Sequence, residues 1–156
     1  LFAQLMQVGG RSGRAALPGE VLIQTEHPEH PLYRALRAHD YVSFAQSQLA
    51  ERRIAGFPPY SFQAILRAEA REMGQALDFL TTARAAAEPL ASDVTLYDPV
   101  PMRMQRLMAL ERGQLLVESL SRPALQAFLG KWMDRLYAQK MPAGLRWYLD
   151  VDPLEF

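Results

Sequence analysis

The residues best suited to chemistry form one octet near the start of the chain, Gln7-Val8-Gly9-Gly10-Arg11-Ser12-Gly13-Arg14. Two arginines stand three apart with glycines between them. Arginine presents a planar, permanently charged fork to phosphate oxygens, and glycine lets backbone approach a phosphate closely. The chemistry this suggests is contact with a charged phosphoryl group; the alternative is a solvated glycine-arginine loop. No Gly-x-x-x-x-Gly-Lys-Ser/Thr loop occurs anywhere in the chain. Nothing here would cradle a nucleotide's phosphates or hold Mg²⁺, so this chain alone is not expected to hydrolyse ATP.

Other candidates are weaker. His27 and His30 are bracketed by Pro28 and Pro31 but lack a third ligand, and read as turn residues capping the next helix. No metal site is expected. Asp150 and Asp152 would fall on one side of a strand, where Pro153 stops continuation, and a structural role is the reading preferred over acid-base chemistry. Arg103, Arg106 and Arg112 fall on an expected hairpin, with Arg122, Lys131, Arg135 and Lys140 on or beside the last helix. Such cations either contact phosphates or form a solvated face. Trp132 and Trp147 read as core rather than as base-stacking platforms.

The elements that must position these residues follow from local pattern. A short helix precedes the glycine-arginine loop. Pro18-Gly19 is a turn, and Glu20 to Thr25 is apolar and β-branched enough for a buried strand. Pro31 opens a short helix reaching about Ala38. Asp40 caps a second, running to Ala55, with Tyr41, Phe44, Ala45 and Leu49 on one face. Gly56 ends it, Phe57-Pro58-Pro59-Tyr60 reads as a rigid extended link, and the domain boundary is placed there, giving residues 1–56 and 57–156. Beyond it the pattern is β-α-β-β-α-β. Phe62 to Ala70 is a strand, and Met73, Ala76, Leu77, Leu80, Ala83 and Ala87 lie at helical spacing. Val94 to Tyr97 is a short strand, and Met102 to Met108 with Arg112 to Ser119 form a hairpin. Ser121 caps a helix burying Leu125, Phe128, Leu129, Trp132 and Leu136. Leu145 to Val151 closes the set with strict alternation. That order predicts an α+β fold with a split βαβ, ferredoxin-like second domain.

Composition narrows the setting. The chain has 156 residues, 49% of them hydrophobic, enough for a real core. It has no cysteine, which excludes disulfides and thiolate zinc sites within it. No apolar run is long enough to span a membrane and no signal peptide is present, so a cytoplasmic protein is expected. Leu1 at the start suggests a fragment or processed product. Seventeen basic and seventeen acidic residues give a formal net charge of zero. Any grip on DNA must therefore come from local segregation of charge.

The octet resembles the last conserved motif of superfamily-2 helicases, Gln-x-x-Gly-Arg-x-Gly-Arg. Gly9 and Ser12 stand where alanine is usual. The motif is followed in order by Gln24-Thr25-Glu26-His27-Pro28-Glu29-His30-Pro31, Ala50-Glu51-Arg52-Arg53, Phe57-Pro58-Pro59-Tyr60, Ser121-Arg122 and Leu149-Asp150-Val151-Asp152-Pro153. The ordered set resembles the C-terminal part of the PriA family (primosomal protein N′), bacterial replication-restart helicases. The resemblance implies that residues 1–56 end the second RecA-like helicase lobe, most of the motor lying upstream. The strand over Glu20 to Thr25 then lacks its neighbouring parallel strands here and is expected to be poorly ordered or to borrow a partner. It implies that Arg11 and Arg14 reach a nucleotide's terminal phosphate as catalytic residues, a role worth about 10³ to 10⁵ in rate. Gln7 would help position the γ-phosphate and water, while Gly10 and Gly13 would keep the backbone compact beside the cofactor. ATP and Mg²⁺ are implied for the family with their pocket outside this chain, and zinc for upstream cysteines.

The resemblance further implies a C-terminal domain like a small-ribosomal-subunit protein, recognising branched DNA through Arg103, Arg106, Arg112 and Arg122. Partners would be branched and single-stranded DNA, single-stranded DNA-binding protein and primosome proteins, in the bacterial cytoplasm at the nucleoid. Enzymatic activity of this chain stays open, the alternative being a non-catalytic DNA- and protein-binding module. A family Gly-Arg-aromatic turn is replaced here by Ala109-Leu110-Glu111, although Arg112 and Gln114 keep the following Arg-x-Gln.

Overall fold

The structure, a computed structural model, describes residues 1–10, 20–107 and 109–154, with only the backbone described for 104–107. The chain divides into two compact units, Leu1–Ala55 and Gly56–Phe156.

The first unit holds α1 (Phe2–Gly9), α2 (Pro31–Arg37) and α3 (Tyr41–Ala55). Pro31 opens α2 because its missing N–H is not needed there, and the His30 Nδ1 accepts from the Leu32 N–H at 3.1 Å. Asp40 caps α3, its carboxylate accepting from the Ser43 N–H at 3.0 Å. The Phe2 ring meets Tyr41 and Phe44 with centroids 5.3 and 5.4 Å apart, which ties α1 to α3. The strand expected over Glu20 to Thr25 is not formed, and Leu22 is 91% exposed. β-Propensity alone does not make a strand; the ladder needs a partner backbone, and none of the described residues supplies one.

In the second unit the chain runs β1 (Phe62–Ala70), α4 (Met73–Ala87), a short 3-10 turn, β2 (Thr95–Leu96), β3 (Val100–Leu107), β4 (Leu110–Ser119), α5 (Arg122–Ala138) and β5 (Arg146–Val151). Phe57 to Tyr60 is a turn rather than an extended link, the Tyr60 N–H donating to the Phe57 carbonyl at 3.0 Å. The five strands form one antiparallel sheet. β1 lies between β4 and β5, and the far side of β4 pairs first with β3 and then with β2. Leu66 faces Leu115 on one neighbour and Leu149 on the other, while Ala68 faces Gly113 and Trp147.

These residues share the sheet face that packs into the core with α4 and α5. Alanines at 64, 68 and 70 on β1 and at 76, 83 and 87 on α4 let the two layers approach closely. Gly113 completes the fit: a Cβ there would lie 3.0 Å from Leu80 Cδ1 and 3.2 Å from Leu77 Cδ2. Ser121 caps α5, and Leu125, Phe128, Leu129, Trp132 and Leu136 are all buried as their spacing predicts. Trp132 is 0% exposed and its indole N–H donates to the Ala83 carbonyl at 2.9 Å, pinning α5 to α4. The described residues thus make an α+β chain with an antiparallel sheet and five α-helices.

Candidate nucleic-acid interface

The second sheet face, turned away from α4 and α5, collects the charges. Alternation along each strand puts Arg67 and Glu69 of β1, Arg112 and Gln114 of β4, and Arg146, Tyr148 and Asp150 of β5 on that side. Register then sets Glu69 directly between Arg112 and Arg146, and Arg67 between Gln114 and Tyr148. Arg112 Nε lies 3.2 Å from Glu69 Oε1, and Arg67 Nη2 lies 3.4 Å from Asp150 Oδ2. The Arg67 guanidinium also sits 6.0 Å from the centre of the Tyr148 ring. Cation and anion alternate across the strands. With three arginines against two carboxylates, the face carries only a small excess of positive charge.

The four arginines expected to meet DNA are therefore in different states. Arg103 on β3 is exposed. Arg106 pairs in register with Glu111, its side chain lying outside the described set. Arg112 is 13% exposed and held by Glu69, so a phosphate would have to compete with a carboxylate for it. Arg122, at the start of α5, lies 2.9 Å from Asp152 Oδ2 and packs over the Phe62 ring at 4.6 Å. Lys131 and Lys140 are exposed, while Arg135 donates to the Ala86 carbonyl at 2.7 Å.

At the other end of the chain, Gln7 is exposed on α1, and the Gly10 N–H closes that helix on the Met6 carbonyl at 2.9 Å. Arg11, Gly13 and Arg14 lie outside the described residues. Asp150 and Asp152 do not act as a pair. One belongs to Arg67, and the other leaves the strand at a φ of 54° to reach Arg122. His30 is a helix cap, and no metal-ligating cluster occurs among the described residues. Among the described residues one carboxyl departs from its ordinary titration: the Ser43 backbone and side chain hydrogen-bond to Asp40 and hold it below the usual carboxylate value.

Sequence reasoning missed Arg67, Glu69, Arg146 and Tyr148 as members of the charged face. The signal was present as polar residues two apart, Arg67-x-Glu69 and Arg112-x-Gln114, but which strands lie side by side is not a local property.

Fold and site define an α+β module with an apolar sheet face under two helices and a polar face of interleaved charges. Residues 53–154 match the family described as primosomal protein N C-terminal domain, and this chain belongs to it. The chain is 35% identical over 160 residues to replication restart protein PriA of Haemophilus influenzae, a match covering 97% of this chain and 21% of that protein. It is 33% identical over 156 residues to the PriA of Synechocystis, covering 98% and 18%, and 29% identical over 156 residues to that of Bacillus subtilis, covering 97% and 19%. It matches the C-terminal part of these proteins and spans about a fifth of their length. Among the described residues no helix is long and apolar enough to cross a membrane.

Proposed function

We propose that this chain is the C-terminal part of a bacterial replication-restart protein that recognises branched DNA at stalled forks, supports ATP-driven 3′ to 5′ unwinding and recruits the primosome. The observation that carries this reading is the similarity to replication restart proteins over 97% of the chain, reaching from the glycine-arginine octet to the last strand. On this reading residues 1–56 close the second RecA-like lobe. Arg11 and Arg14, with Gln7 beside them, stabilise charge on a nucleotide bound by the rest of the motor, and Gly10 and Gly13 let the backbone pass closely. This chain has neither a phosphate loop nor cysteine, so ATP, Mg²⁺ and zinc are left to other parts of such a protein. The second domain is a split βαβ, ferredoxin-like fold, supported by strand pairing in which β1 lies between β4 and β5. Single-stranded DNA-binding protein and primosome proteins are its protein partners, at the nucleoid in the bacterial cytoplasm.

Among the candidates whose side chains are described, Arg103 is the one that needs no carboxylate displaced, and it would meet a phosphate first. Fluorescence anisotropy on labelled fork, duplex and single-stranded DNA across a salt series tests the reading. Fork-preferring binding that weakens with salt is expected, the slope of log K against log salt falling by about 0.9 for each phosphate contact on duplex DNA. Arg103→Glu should weaken binding on every substrate. Equal affinity for fork and duplex, or no binding at all, would remove fork recognition from this chain.

A second reading is a non-catalytic DNA- and protein-binding module, favoured by a sequence without a phosphate-binding loop; on it Arg112 and Arg122 would have to leave their carboxylates to meet DNA. If Glu69→Gln, which frees Arg112, strengthens DNA binding, the ion pair masks a DNA contact.

A further inference from the structure

The sheet has two edges, and they are built differently. On the β2–β3 side, Pro99 and Pro101 interrupt the strands and the β3–β4 register shifts between Pro101 and Arg106. Prolines and bulges are among the features that keep a sheet edge from pairing with another chain. β5 has neither. Its register with β1 runs without interruption from Ala64 opposite Val151 to Glu69 opposite Arg146, and among the described residues nothing pairs with its outer side. An unguarded row of backbone N–H and C=O groups is a template for one more strand.

Beside that edge lies a groove of about 650 Å³ between β5 and the C-terminal half of α5. Met133, Tyr137, Met141, Trp147 and Leu149 line it, together with Arg146. Tyr137 is 73% exposed although its ring lies 5.3 Å from that of Trp147, so a large apolar surface stands open to solvent. Arg146 is the only charged residue in the lining, and among the described residues no carboxylate lies within ion-pair distance of it. Of the acids nearby, Glu69 stands opposite Arg146 in register but is engaged by Arg112, Asp150 is held by Arg67, and Asp134 lies three residues before Tyr137 outside the lining. Lys140, in the connection from α5 to β5, adds a second exposed cation.

We propose that the outer edge of β5 and this groove receive an extended peptide segment of another protein. The segment adds a sixth strand to the sheet, seats an aromatic or long aliphatic side chain against Tyr137 and Trp147, and sets an acidic side chain against Arg146. Main-chain hydrogen bonds to the edge supply affinity, and alternate side chains of the segment supply specificity. The cations Arg146 and Lys140 give the segment its sign.

The test uses the whole 156-residue chain and two fluorescein-labelled probe peptides of alternating threonine and phenylalanine, one with a central glutamate and one with a central lysine. In anisotropy titrations the glutamate peptide should bind about tenfold or more tightly than the lysine peptide. Tyr137→Ala should weaken the glutamate peptide about tenfold, and Arg146→Glu should invert the preference. Both side chains are exposed, so the fold should survive, and far-ultraviolet circular dichroism checks that it does. Amide exchange of residues 146–151 should slow when the glutamate peptide binds. The proposal is overturned if neither peptide binds, if binding ignores both substitutions, or if protection appears away from β5. It is also overturned if sedimentation shows the free chain dimerising through β5, because the edge would then belong to a second copy.

Discussion

Gly56–Phe156 closes an apolar layer between a five-stranded sheet and two helices, while in Leu1–Ala55 only Phe2 and Leu32 among the described apolar residues are buried. α5 buries a continuous stripe from Leu125 to Leu136, but α3, only slightly shorter, buries no residue at all. The first unit keeps its form through caps at His30 and Asp40 and through one ring, Phe2, laid against two others. Local capping orders helix ends, but most helical stability comes from packing an apolar face. The second unit should therefore unfold as a cooperative block, and the first should yield to smaller perturbations.

The largest expected effect tests that block. Trp132→Ala removes a fully buried side chain and leaves the Ala83 carbonyl without its donor, so it should cost about 3–5 kcal/mol in urea denaturation. A cost below about 1 kcal/mol would show that α5 is not integral to the core and would collapse the contrast between the units. Phe2→Ala comes next, at about 2 kcal/mol, because Tyr41 on its flank is already 58% exposed. It should lower helical circular dichroism while leaving the tryptophan-monitored unfolding midpoint of the second unit in place. A midpoint that moves with it would mean that the units unfold together.

A gain is expected at the β3–β4 turn. Ala109 has a φ of 65°, a left-handed conformation that costs a residue with a Cβ about 1–2 kcal/mol. Ala109→Gly should raise stability by about 1 kcal/mol, measured in the same denaturation series. No gain would indicate that the turn relaxes to accommodate alanine.

The smallest effect belongs to the first unit and depends on pH. Hydrogen bonds from Ser43 hold the folded-state pKa of Asp40 below its ordinary value. A carboxyl lowered on folding adds stability above its unfolded pKa and loses it as pH falls through the folded one. Acidification below the ordinary carboxylate range should therefore fray the start of α3, seen as a small loss of helicity that Asp40→Asn abolishes. An unchanged acid titration in Asp40→Asn would remove the cap from the account.

Helices and caps were readable from sequence because their determinants lie within a few residues. The spacing of Leu125, Phe128, Leu129, Trp132 and Leu136 set the buried face of α5, and Ser121 and Asp40 announced the starts of their helices. Strands were readable as candidates only. Phe62 to Ala70 found partners on both sides, but Glu20 to Thr25, apolar and β-branched, found none among the described residues. The candidate interface followed the same division. Which arginines lie near the hairpin and the last helix could be listed from the chain, but which of them are committed could not.

The sequence by itself determined the amphipathic faces, the helix ends, the glycine-arginine octet and the motif order that assigns the family. These are contained in residue identity and short spacing. Tertiary structure alone decided that Glu69 engages Arg112, that Asp152, thirty positions along, engages Arg122, and that β5 became the unguarded edge beside an open groove. Each depends on which strands become neighbours and in what register, a long-range choice made by burial of the whole sheet face.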